Sequence, residues 1–95
     1  MAAYLVVDID VTNPAQFEEY KKLAPAAVAN YGGRYLMRGG AYEVLEGEWK
    51  PQRLTIVEFD SMEKAQAFYA SPEYQTAIKA RAGAANMKML LVQGV

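Results

Sequence analysis

The chain has 95 residues, 53% of them hydrophobic and 22% charged, with Lys+Arg 10 against Asp+Glu 11 and a net charge of −1. That size and mix describe a single domain over residues 1–95 with a small core, and the near balance of charge gives no field to gather nucleic acid or an anionic membrane. Cysteine and histidine are absent, which removes disulfides, thiol nucleophiles, the commonest zinc, copper and haem ligands and the usual general base near neutral pH. No metal and no cofactor is expected.

Met1 to Val7 is apolar, but Asp8 interrupts it and no Lys or Arg precedes it; it is expected to be neither a signal peptide nor a membrane span, and the expected location is cytoplasmic. From Ala3 to Val11, Leu5, Val7, Ile9 and Val11 alternate with Tyr4, Val6, Asp8 and Asp10, which predicts a strand. Asn13-Pro14 is a helix start. Phe17, Tyr20, Ala24, Ala27, Val28 and Tyr31 then recur at helical spacing until Gly32-Gly33, with Pro25 as a possible kink. Arg34 to Arg38 predicts a strand that breaks at Gly39-Gly40 and resumes through Tyr42 to Glu46, as a bulged strand or hairpin, before a loop holding Trp49 and Pro51. Arg53 to Asp60 is the next strand. Ser61 caps a second helix, Ser71-Pro72-Glu73 restarts it, Gly83 ends it, and Asn86 to Val95 forms the last strand.

The order is βαββαβ, and Val7-Asp8-Ile9-Asp10 falls over Val57-Glu58-Phe59-Asp60 in a weak internal repeat. The expected fold is α+β and ferredoxin-like, an antiparallel sheet with two helices on one face. Strand parity sends Leu5, Val7, Ile9, Val57 and Phe59 toward the helices and leaves Tyr4, Val6, Asp8, Leu54, Ile56 and Glu58 on the far face. An apolar far face marks an interface. A second copy of the sheet is the simplest cover, giving a homodimeric α+β barrel.

Arg38-Gly39-Gly40, Leu45-Glu46-Gly47, Trp49, Pro51, Arg53, Ile56-Val57-Glu58-Phe59, and Tyr69 to Tyr74 with Arg81 together resemble the domain-of-unknown-function family numbered 1330. The resemblance covers nearly the whole chain. It implies kinship with the dimeric α+β barrel superfamily, which includes cofactor-independent monooxygenases, chlorite dismutase-like haem proteins and isomerases. A shared fold implies no particular reaction.

Asp8 and Glu58 are the candidate catalytic residues, since carboxylates entering an apolar barrel can act as acid or base; at a solvated or arginine-paired rim they are structural instead. Arg38, Glu46, Arg53 and Glu58 are candidate ligand-binding residues, with the arginines holding a small anionic metabolite or else locking the hairpin or the dimer. Trp49 either walls the ligand site or packs over a subunit edge. Asp8, Arg38, Glu46, Arg53 and Glu58 are expected to converge on one polar cluster beside a cavity.

Two functions compete: a cofactor-free enzyme working by carboxylate proton transfer, and a non-catalytic homodimeric metabolite-binding or structural module. RNA-recognition domains share the element order, but the corresponding far-face positions hold Leu54, Ile56 and Glu58 in place of stacking aromatics.

Overall fold

Alternation in the first segment is realised as the central strand β1 (Ala3–Val11) of a four-stranded sheet in the computed structural model, which describes residues 1–95. It is followed by α1 (Pro14–Asn30), β2 (Arg34–Arg38), β3 (Leu54–Phe59), α2 (Met62–Ala70), α3 (Pro72–Ala80) and β4 (Ala85–Gln93). The strands run in the order β2-β3-β1-β4, every pairing antiparallel. This is the ferredoxin-like α+β arrangement expected from the sequence, with its second helical segment divided in two.

Local chemistry sets the boundaries. The Asn13 side chain accepts from Gln16 N–H at 3.3 Å, and Pro14 opens α1 where a missing N–H costs no bond. Ser61 caps α2 in the same way through Lys64 N–H. Ser71 serves both neighbouring helices: its hydroxyl donates to the Phe68 carbonyl at 2.7 Å and accepts from Tyr74 N–H at 3.1 Å, so the chain turns between α2 and α3 with its buried polar groups paired. The restarted helix of the sequence is therefore two separate helices joined at one serine.

The core lies between the helices and the inner sheet face. Leu5, Val7, Ile9, Val57 and Phe59 are buried against Phe17, Tyr20, Phe68 and Tyr74, as parity predicts. Tyr4, Val6, Asp8, Leu54, Ile56 and Glu58 occupy the outer face and are partly exposed. On β4 the outer face adds Leu90 and Val92, both exposed. No helix is long and apolar enough to cross a membrane.

One expectation fails. The strand does not resume over Tyr42 to Glu46; residues 39–53 form an irregular loop, held where the Tyr42 hydroxyl donates to the Pro51 carbonyl at 2.6 Å. No strand lies beside Tyr42 to Glu46 to pair its backbone groups. A bulge does occur, earlier than Gly39-Gly40: the register of β2 against β3 slips by one residue between Tyr35 and Met37. This β-bulge at Leu36 reverses the parity of Met37 and Arg38. Arg34 is paired with Glu58 on the outer face, whereas Arg38 is paired with Thr55 on the inner one.

Candidate functional site

The inner sheet face and α1 do not close completely on each other. Between them lies a cavity of about 380 Å³ lined by 17 residues, 12 of them hydrophobic. Phe17, Ala24 and Val28 of α1 form one wall, and Leu5, Val7 and Val57 of the sheet form the other. Its polar groups are Tyr20, Lys21, Tyr35, Arg38, Arg53, Thr55 and Tyr74.

Strand register brings the polar wall together. Thr55 and Arg38 are cross-strand partners, and Arg53 precedes Thr55 by two positions, which on a strand is the same face. The Arg38 guanidinium lies 4.5 Å from the centroid of the Tyr35 ring, a cation–π stack that steadies it without neutralising it. Arg53 crosses Gly39, where a Cβ would stand 2.8 Å from Arg53 Nε. Gly39 also has φ +70°, so glycine is required there twice over. Neither Arg38 nor Arg53 has an ion-pair partner. Lys21, at the edge, is paired with Glu18 at 3.0 Å.

Thr55 is only 4% exposed, and its Oγ1 finds no hydrogen-bond partner in the protein. A hydroxyl so placed carries an uncompensated desolvation cost. Deeper in, the Tyr20 and Tyr74 hydroxyls share one hydrogen bond of 2.7 Å, which leaves one of their two hydrogens uncommitted. Burial, reinforced by the neighbouring Tyr74, raises the Tyr20 pKa above the ordinary phenol value of 10.0. Burial likewise raises Tyr35, with Arg38 partly opposing it. Both phenols therefore remain protonated donors at neutral pH. Arg81 stacks 5.5 Å from the Tyr20 ring centroid, and its buried Nε has no partner.

Of the residues selected from sequence, Arg38 and Arg53 meet in this cavity and the others do not. Asp8 lies on the outer face, where its Oδ1 accepts from Gln52 N–H at 2.8 Å and Arg53 N–H at 3.3 Å, fixing the chain as it enters β3. Glu58 is also on the outer face and accepts from Arg34 Nε at 2.7 Å. Its countercharge is thus Arg34, its direct cross-strand partner, and not Arg38, which lies further along β2 and, past the bulge, on the inner face. Arg34 reaches Asp60 as well, at 3.3 Å. Glu46 and Trp49 sit in the exposed loop, Trp49 being 62% exposed, and neither lines the cavity. The expected convergence of five charged residues does not occur. Thr55, Tyr20, Tyr35 and Tyr74 take the missing places. Thr55 was detectable in the sequence as a polar residue at an inward position between Arg53 and Val57.

The helix-covered antiparallel sheet with an apolar cavity beneath α1 defines a ferredoxin-like α+β protein, and solved structures of that class superpose on it. A protein of unknown function from Rhodopseudomonas palustris, RPA0582, aligns with a TM-score of 0.73 at 16% identity, covering 99% of this chain and 82% of that one. A dimeric ferredoxin-like protein of unknown function from Jannaschia sp. CCS1 aligns at 0.70 and 10% identity over 99% and 100% of the two chains. SnoaB from Streptomyces nogalater, a cofactor-independent oxygenase, aligns at 0.67 and 16% identity over 99% and 93%. At these identities the likeness is one of fold. Comparison with curated proteins gives no match. The chain belongs to the family described as Domain of unknown function (DUF1330), matched over residues 2–95.

Proposed function

We propose that this protein is a homodimeric small-molecule-binding module that holds an apolar anion in the cavity between the sheet and α1. The observation that carries this reading is the pair of guanidiniums, Arg38 and Arg53, which have no ion-pair partner and stand, Arg38 exposed and Arg53 half-buried, where a largely apolar cavity opens to solvent. A volume of about 380 Å³ lies within the usual range for ligand pockets, about 300–1,000 Å³. An anion there gains charge-assisted hydrogen bonds, while its body replaces water against Phe17, Val28 and Val57.

Every titratable or hydroxyl group on this wall can donate, and no carboxylate lines it. That favours binding over proton abstraction by Asp8 or Glu58, both committed elsewhere. Any catalysis in this cavity would rest on stabilising an anion of the ligand. Dimerisation is supported by the outer face, where Val6, Ile56, Met37, Leu90 and Val92 present apolar surface around the Arg34–Glu58 pair, and by the dimeric state given for the Jannaschia protein.

The binding reading is tested by thermal unfolding with 3-phenylpropanoate, 3-phenylpropanol and phenethylamine, on the native protein and on Arg38→Met and Arg53→Met. Only the carboxylate should raise Tm, and each substitution should reduce the rise. A ligand at 100 times its Kd stabilises by about 2.7 kcal/mol, which is easily measured. Equal effects from the alcohol, or undiminished effects in both variants, would refute the assignment.

A further inference from the structure

We propose that the anion this cavity selects is a 2-oxo carboxylate bearing an aryl or branched alkyl side chain. The proposal rests on the cavity being an anion site and narrows which anion it takes. The narrowing comes from Thr55. Its hydroxyl is buried, lacks any protein partner, and belongs to the residue directly opposite Arg38 across the sheet. Opposed side chains on one face have Cβ atoms about 4.5–5.5 Å apart, so Thr55 stands beside the root of the Arg38 side chain, on the same wall of the cavity. Arg53 lines the same cavity two residues before Thr55, just ahead of β3.

A carboxylate bridging Arg38 and Arg53 lies on the face that Thr55 shares with both, with its adjacent carbon toward Thr55. An oxygen on that carbon accepts the hydrogen bond that Thr55 otherwise lacks. Because Oγ1 is covered by neighbouring side chains, the ligand reaches it by displacing them. A 2-ammonium group in the same place would meet two unpaired guanidiniums and be repelled. A 2-hydroxyl group would bring a donor into a wall already rich in donors, whereas a 2-oxo group brings acceptor capacity alone. The side chain of the ligand then lies against Phe17, Val28 and Phe68, which are flat or branched apolar surfaces suited to an aryl or branched alkyl group.

The test is calorimetric titration of the native protein and of Thr55→Val with phenylpyruvate, 3-phenylpropanoate and phenylalanine. Phenylpyruvate should bind the native protein about tenfold more tightly than 3-phenylpropanoate, the worth of one well-made hydrogen bond in a buried site. Phenylalanine should bind more weakly than either. In Thr55→Val the advantage of phenylpyruvate should vanish while 3-phenylpropanoate keeps its native affinity. Equal native affinities for the two acids, or an advantage that survives Thr55→Val, overturns the 2-oxo assignment and leaves the anion site standing. Failure of all three compounds to bind overturns the anion site and this proposal with it.

Discussion

Thr55→Val should make the protein more stable, although it removes a polar group from a site that binding uses. Valine has nearly the same shape and suits a strand at least as well. The native hydroxyl is covered and unpartnered, so folding takes it out of water with nothing in return. A buried unsatisfied donor costs about 1–3 kcal/mol, and the methyl that replaces it adds favourable apolar burial against Val7 and Val57 on adjoining positions. A gain of at least about 1 kcal/mol is therefore expected, which for a chain of this length corresponds to roughly 4–8 °C in Tm. Urea unfolding monitored by circular dichroism, without ligand, measures the change as a shift of midpoint at constant slope. A neutral or lowered midpoint would refute the reasoning, because it would mean that the hydroxyl is satisfied in the folded protein. The same substitution should weaken selection for an acceptor oxygen, so stability and recognition change in opposite directions at one atom.

Gly39→Ala should destabilise the protein by about 1–3 kcal/mol, since it forces φ +70° on a residue with a Cβ and pushes that Cβ within 2.8 Å of Arg53 Nε; an undiminished unfolding midpoint would contradict it. Ile56→Glu should leave the monomer folded and shift sedimentation velocity profiles toward it, because burying an unpaired charge between two sheets costs several kcal/mol; a native protein that sediments as a monomer at micromolar concentration would remove the dimer. Glu58→Gln should leave ligand affinity unchanged, and a marked loss would return Glu58 to the binding machinery. Hydrogen bonding from Arg34, then from Lys64, holds the Asp60 carboxyl below its ordinary value of 3.8. The folded state then binds this proton less readily than the unfolded one, so the contribution is complete above the ordinary carboxylate range and is lost as pH falls through the lowered value. The stability difference between the native protein and Asp60→Asn should accordingly close as pH falls through the acid range, and a difference unchanged by acidification would count against the pairing.

How much of the molecule was legible in the sequence depends on the range of the interaction involved. The caps at Asn13, Ser61 and Ser71 and the alternation of Leu5, Val7 and Ile9 are local, and each element they predict is present. Tyr42 to Glu46 reads as a strand by composition alone, but a strand needs a partner for its backbone groups, and none lies beside it. The pairing of Glu58 with Arg34 rather than Arg38 is a question of register. Both arginines sit at the same parity in the sequence, and nothing local distinguishes them.

That ambiguity is resolved by one residue. An unbulged β2 would align Arg34, Leu36 and Arg38 on the outer face, with Arg38 opposite Leu54 and the apolar cavity left without it. The extra residue at Leu36 keeps Arg34 outside, where it neutralises Glu58 and Asp60, and turns Arg38 inward beside Thr55. One strand thereby delivers its first arginine to the outer face as a neutralised structural group and its last to the cavity as a free cation. The two carboxylates most suggestive of chemistry in the sequence are consumed by this division: Glu58 balances Arg34, and Asp8 anchors the backbone of Gln52 and Arg53. Asp8 thus still serves the cavity, from the opposite side of the sheet, by fixing the backbone from which Arg53 projects.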